Sequence, residues 1–127
     1  MTPADARKLA LLERFMAAWN ARDVNALMSC MSDDCEFLSS AGPDPAGTRY
    51  RGRDAVNAAY AALFDNFPEA AWTNARHFVI ADRGVSEWRF VGRDREGRAV
   101  DVYGCDLFTF DGDRIRTKDS YRKNRTG

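Results

Sequence analysis

The sequence predicts an α+β fold with helices first and a curved antiparallel sheet second, and three observations carry that reading. Apolar residues recur at helical spacing over two stretches before residue 68. From Ala70 onward the period changes to two, broken by turn signals at Asp82-Arg83-Gly84, Arg95-Glu96-Gly97 and Asp111-Gly112-Asp113. The stretch 98–123 reads as two long strands joined by an Asp-Gly turn, a strong hairpin signal.

Thr2-Pro3-Ala4-Asp5 has the marks of a helix start: a hydroxyl cap, proline at the first helical position and an acid in the first turn. Leu9, Leu12, Phe15, Met16 and Trp19 then share one face, and the helix ends near Asn20-Ala21-Arg22. Asp23 is placed to cap a short second helix from Val24 to about Cys30. Asp33-Asp34 breaks the helical pattern, and residues 35–39 read as a short strand. Residues 40–52, with two prolines and three glycines, read as a loop that could form a rim or lid. The strongest helix spans 53–67, with Val56, Ala59, Tyr60, Leu63, Phe64 and Phe67 on one stripe and Pro68 at its end. Strands follow over 71–81, 85–93, 98–110 and 113–123. Four consecutive antiparallel strands form a meander, with the strand near Phe37 at one edge.

At 127 residues the whole chain, 1–127, is expected to form one domain. Its 19 basic and 19 acidic side chains balance, so no overall field favours nucleic acid or an anionic membrane. The locally basic C-terminal end is accompanied by no aromatic–basic recognition motif and reads as a solvated strand and tail. Cys30, Cys35 and Cys105 are odd in number and lack metal-ligand spacing, which fits reduced thiols. No apolar signal core or membrane-length apolar run is present. A cytoplasmic location and no metal are the expectations. Both faces of the sheet carry large apolar groups, so the helices are expected to cover one and a second copy of the chain the other, giving a homodimer.

The chemical lead lies on the 98–110 strand. One face carries Val100, Val102, Gly104, Asp106, Phe108 and Phe110, the other Asp101, Tyr103, Cys105, Leu107 and Thr109. Asp106 stands in the middle of an otherwise apolar face. A carboxylate there is costly unless it is paired or lines a cavity.

The segments "WNARDVNALM", "MSDDCEF", a Pro/Gly loop, "RGRDAVNAAYAALF" and "YGCDLFTFDGDRIRTKDSY" together resemble the NTF2-like superfamily, and within it the SnoaL-like and ketosteroid-isomerase-like branch. The resemblance spans residues 8 to 122. It implies a cone-shaped curved sheet wrapped around a long helix, with a pocket at the wide end. It also implies a small hydrophobic ligand and no cofactor. In ketosteroid isomerases a first-strand aspartate is the general base and a first-helix tyrosine stabilises the enolate. The matching positions here hold Ser39 and Phe15, which argues against steroid isomerisation. The second oxyanion group, a protonated aspartate, matches Asp106, and the supporting tyrosine of the long helix matches Tyr60. The pocket-lining positions on VSEWRFV match Glu87 and Arg89. On the last strand the inward positions would be Lys118, Ser120 and Arg122, or Asp119 and Tyr121 if the register slips by one.

Glu87 and Arg89 share one face about 6–7 Å apart. With Asp106 they could hold two carboxylates and a guanidinium in one cavity, their pKa values pushed apart. Such a site suits enolisation, cyclisation, dehydration or water attack on a carbonyl compound. Asp106, Glu87 and Tyr60 are the expected catalytic groups. Arg89, Trp19, Phe15, Ser39, His77, Lys118 and Ser120 are the expected substrate contacts. Structural accounts stand beside these roles: Glu87–Arg89 as an ion pair, Tyr60 and Trp19 as core, His77 as a satisfied histidine. The rival function is a non-catalytic ligand-binding or dimerisation module, favoured by Ser39 and Phe15. No nucleotide-binding, Gly-x-Ser-x-Gly or Cys/His motif occurs.

Overall fold

Thr2 accepts a hydrogen bond from the Asp5 amide at 3.0 Å and Pro3 fills the first helical position, so α1 (Pro3–Asn20) begins where its cap dictates. The computed structural model describes residues 1–126. Asp23 caps α2 (Val24–Ser29) through the Ala26 amide. α3 (Arg53–Asn66) buries Val56, Tyr60 and Phe64. Two arginines secure its ends by taking up carbonyls left over at helix termini and loops. Arg53 donates to the Met28 and Met31 carbonyls at 3.0 and 2.8 Å. Arg22 donates to those of Phe64 and Phe67 at 2.8 and 3.1 Å.

The strands are β1 (Met31–Leu38), β2 (Arg49–Arg51), β3 (Ala71–Ile80), β4 (Arg83–Arg93), β5 (Ala99–Asp111) and β6 (Arg114–Arg122). They form one curved, unclosed sheet in the order β2-β1-β6-β5-β4-β3. β3 to β6 make the expected antiparallel meander. Two details differ from the sequence reading. β1 starts at Met31, not Cys35: Asp33 and Asp34 end the helical run but stay within the strand, exposed at an irregularity in its pairing with β6. β1 also runs parallel to β6, with β2 outside it. β2 lies inside the expected loop, where Arg49 and Arg51 both pair with Glu36 across the strands.

The helices lie on one face of this sheet. Phe15, Trp19, Tyr60, Phe64, Trp72 and Phe108 meet mostly edge-on or tilted, with centroids 4.8 to 6.4 Å apart. Asn20 bonds both the backbone amide and carbonyl of Trp72, at 2.8 and 3.0 Å, which fastens the end of α1 to the start of β3.

Register decides which side chains face the helices, because residues directly opposite in a sheet share a face. Ser86 lies opposite Asp106, and Asp106 opposite Ser120. Trp88 lies opposite Gly104, and Gly104 opposite Arg122, while Phe108 faces Lys118. Lys118, Ser120 and Arg122 are therefore the inward residues of β6. Glu87 lies opposite Cys105 and Cys105 opposite Tyr121, so this second set points outward.

Candidate functional site

Asp106 is 3% exposed and Lys118 5%, two charged groups enclosed by the sheet and helices. Asp106 Oδ2 accepts the Trp88 Nε1–H at 2.9 Å. Its Oδ1 accepts the Ser120 hydroxyl at 2.6 Å and lies 3.3 Å from Lys118 Nζ. Lys118 Nζ also donates to Ser120 Oγ at 2.8 Å, so amine, hydroxyl and carboxylate form a continuous chain. Antiparallel pairing of β5 with β6 fixes this geometry: Ser120 is the direct neighbour of Asp106, and Lys118 its diagonal one. Gly104 admits the third partner. A Cβ there would lie 2.5 Å from the Trp88 ring and from the Tyr121 carbonyl oxygen, so only glycine lets the indole lie across β5 and reach Asp106.

A cavity of about 240 Å³ opens between this inner face, α3 and the loop after β1. Trp19, Phe37, Trp72 and Phe90 supply apolar walls, Ser39 and Ala41 its rim, and Lys118, Ser120 and Arg122 its polar lining. The Lys118 ammonium sits 5.0, 4.6 and 5.8 Å from the ring centres of Trp19, Phe37 and Tyr60, an aromatic cage open to the cavity. Burial lowers the Lys118 pKa from its ordinary 10.5, and the neighbouring Asp106 offsets part of that fall. An amine so placed can give up its proton more readily than one in water. It keeps a carboxylate beside it to stabilise the ammonium when the proton returns. That is the requirement for a proton shuttle facing an apolar ligand.

Residues 12–117 match the SnoaL-like domain family. The chain is a SnoaL-like protein. Solved structures agree on the fold. A protein provisionally named a polyketide cyclase from Xanthomonas campestris superposes with a TM-score of 0.83 at 18% identity, over 94% of this chain and 93% of that one. A SnoaL-like protein of Jannaschia sp. CCS1, provisionally named in the same way, gives 0.84 at 17% identity, over 97% and 90%. An NTF2-like protein of unknown function from Mesorhizobium loti gives 0.80 at 23% identity, over 98% and 97%. No curated protein sequence matches the chain.

The site of this SnoaL-like chain gathers some expected residues and disperses others. Asp106, Lys118, Ser120, Trp19 and Ser39 belong to the cavity or its floor. Glu87 and Arg89 do not, because strand parity sends them to the outer face. There Arg89 forms a two-point ion pair with Asp101, at 2.7 and 2.6 Å, which raises its pKa. Glu87 lines an outer hollow of about 640 Å³ with Arg76, Tyr103, Cys105 and Tyr121, which meets the inner cavity at Trp88 and Arg122. Tyr60 is fully buried, and its hydroxyl points at Met31 Sδ, 3.7 Å away, rather than at Asp106. Burial pushes its pKa well up. Phe15 is packed edge-on against Trp19, Tyr60 and Phe108 in the core. His77 hydrogen-bonds Ser86 at 2.7 Å beside α1, away from the cavity, and burial lowers its pKa.

Trp88 is the participant the sequence reading passed over. Its signal was present: an indole two residues diagonal from a buried carboxylate, opposite a glycine. Arg122 was placed inward but given no task. No helix among the described residues is long and apolar enough to cross a membrane, and none of their His, Cys, Asp and Glu side chains cluster to hold a metal ion.

Proposed function

We propose that this SnoaL-like protein is a small-molecule enzyme that moves protons on a hydrophobic carbonyl compound, without a cofactor, as in an isomerisation or aldol-type cyclisation. The observation that carries this reading is the Lys118–Ser120–Asp106 chain at the floor of an aromatic cavity. Lys118 is the acid/base that meets the ligand. It takes a proton from the carbon beside the carbonyl, and the resulting ammonium faces both Asp106 and the developing enolate. Charge is thus stabilised more in the transition state than before it. Asp106 acts through Ser120 and Lys118 and is a positioning residue. A single well-placed acid/base contributes about 10²–10⁴ in rate.

The test is deuterium uptake in D₂O at the α-carbons of 2-tetralone, followed by proton NMR. The wild type is expected to accelerate exchange, and Lys118→Met to return it to the buffer rate. Acceleration that survives Lys118→Met would refute the assignment. Acceleration absent in the wild type would favour the ligand-binding reading.

The outer face supports a second part of the proposal, a homodimer through the sheet. Tyr103 and Tyr121, 59% and 52% exposed, stand there beside the outer hollow, and exposed tyrosines of this kind are enriched at interfaces between proteins.

A further inference from the structure

We infer that the cavity takes a planar aromatic carboxylate, whose anionic group pairs with Arg122 while its carbonyl end meets Lys118. This rests on the acid–base reading of the cavity and adds the class of ligand. The residues lining the cavity include two cations, Lys118 and Arg122, and no carboxylate. Lys118 is answered by Asp106. Arg122 stands exposed at the mouth of the cavity and makes no ion pair or hydrogen bond through its side chain among the described residues; the partial covering of that side chain lowers its pKa, and no charged partner contributes.

Its guanidinium lies 4.8 Å from the ring centre of Phe90 and 5.9 Å from that of Phe67. Those rings engage it without using its N–H donors, which remain available for an acceptor. A guanidinium is always charged and presents a rigid fork, so its best complement is a group with two oxygens in one plane. Arg122 and Lys118 are four residues apart on the same face of β6, roughly 13 Å between Cα atoms. Their long side chains converge on one apolar space, and a fused-ring ligand can reach both.

The test compares 6-acetyl-2-naphthoate with 6-acetyl-2-naphthamide, which shares ring and ketone but lacks the charge. Binding to the wild type, Arg122→Gln, Arg122→Lys and Lys118→Met is measured by isothermal titration calorimetry at fixed salt. The wild type is expected to prefer the carboxylate about tenfold or more. Arg122→Gln is expected to bring the two ligands to similar affinity without weakening the amide. Arg122→Lys should keep part of the preference, and Lys118→Met should keep it all. Equal affinities in the wild type would overturn this inference while leaving the proton-transfer reading intact. So would a preference that survives Arg122→Gln and vanishes in Lys118→Met. Failure of both ligands to bind would remove the cavity reading and this inference together.

Discussion

Replacing Asp106 with asparagine keeps the shape of the side chain and removes its charge. The consequences follow from three contacts. The Asn Oδ1 can still accept from Trp88 Nε1, and the Ser120 hydroxyl can turn to accept from the new amide. Lys118 has no such recourse: its ammonium stays enclosed by Trp19, Phe37 and Tyr60 with its counter-charge gone. Breaking a buried pair from one side costs about 3 kcal/mol or more, because the partner charge is left in a poor solvent. For a chain of this length that corresponds to a fall in Tm of roughly 10 °C. The loss depends on pH with a definite sign. Lys118 has a folded pKa below its unfolded 10.5, so between the two values only the unfolded chain holds the proton. Raising the pH across that window stabilises the fold. Removing Asp106 lowers the folded pKa further and widens the window downward. The deficit of Asp106→Asn should therefore be large at neutral pH and shrink as the pH approaches 10.5. Urea unfolding of the wild type, Asp106→Asn, Lys118→Met and the double variant reads this directly. The double variant should recover much of the loss, since two charges removed together leave none stranded. Equal destabilisation by Asp106→Asn in both backgrounds, or no dependence on pH, would refute the argument.

Further outcomes follow from the same geometry. Gly104→Ala should cost about 2 kcal/mol by overpacking against Trp88 and the Tyr121 carbonyl, and should alter the indole fluorescence as Trp88 leaves Asp106. Trp88→Phe should keep the packing but strip one donor from Asp106, costing about 1 kcal/mol in urea unfolding. Arg22→Ala should destabilise by a similar amount, because two carbonyls at the end of α3 lose their donor. Tyr121→Glu should leave the circular dichroism of the fold unchanged and shift sedimentation towards a monomer if the outer face pairs copies.

Much of this architecture was written in local chemistry. The Thr2 cap, the α3 stripe and the Asp-Gly turn each act within a few residues, and the elements appear where those signals place them. β1 and β2 were harder to see, because a strand of three residues and a parallel partner 81 to 84 residues away leave no periodic trace. The site divided along the same line. Asp106 was visible as one acid on an apolar face, and Lys118 and Ser120 as inward positions on the neighbouring strand. Glu87 and Arg89 were misplaced by parity. Both faces of β4 carry bulky groups, so its alternation alone did not say whether Glu87 or Trp88 points to the helices. Pairing with β5 settles it, through Ser86 opposite Asp106. Tyr60 and Phe15 fell where their helical spacing put them, but hydroxyl direction and cavity edge are matters of packing that spacing does not encode.

The most direct measurement pairs two titrations of one group. The pKa of Lys118 can be read by NMR on the protein carrying labelled lysine Cε, with Lys118→Met supplying the assignment. The pH dependence of 2-tetralone exchange is then recorded on the same sample. A shared midpoint below 10.5, with exchange rising as the amine loses its proton, is the expected result. An ordinary lysine titration, or exchange whose midpoint lies elsewhere, would contradict the role given to this amine.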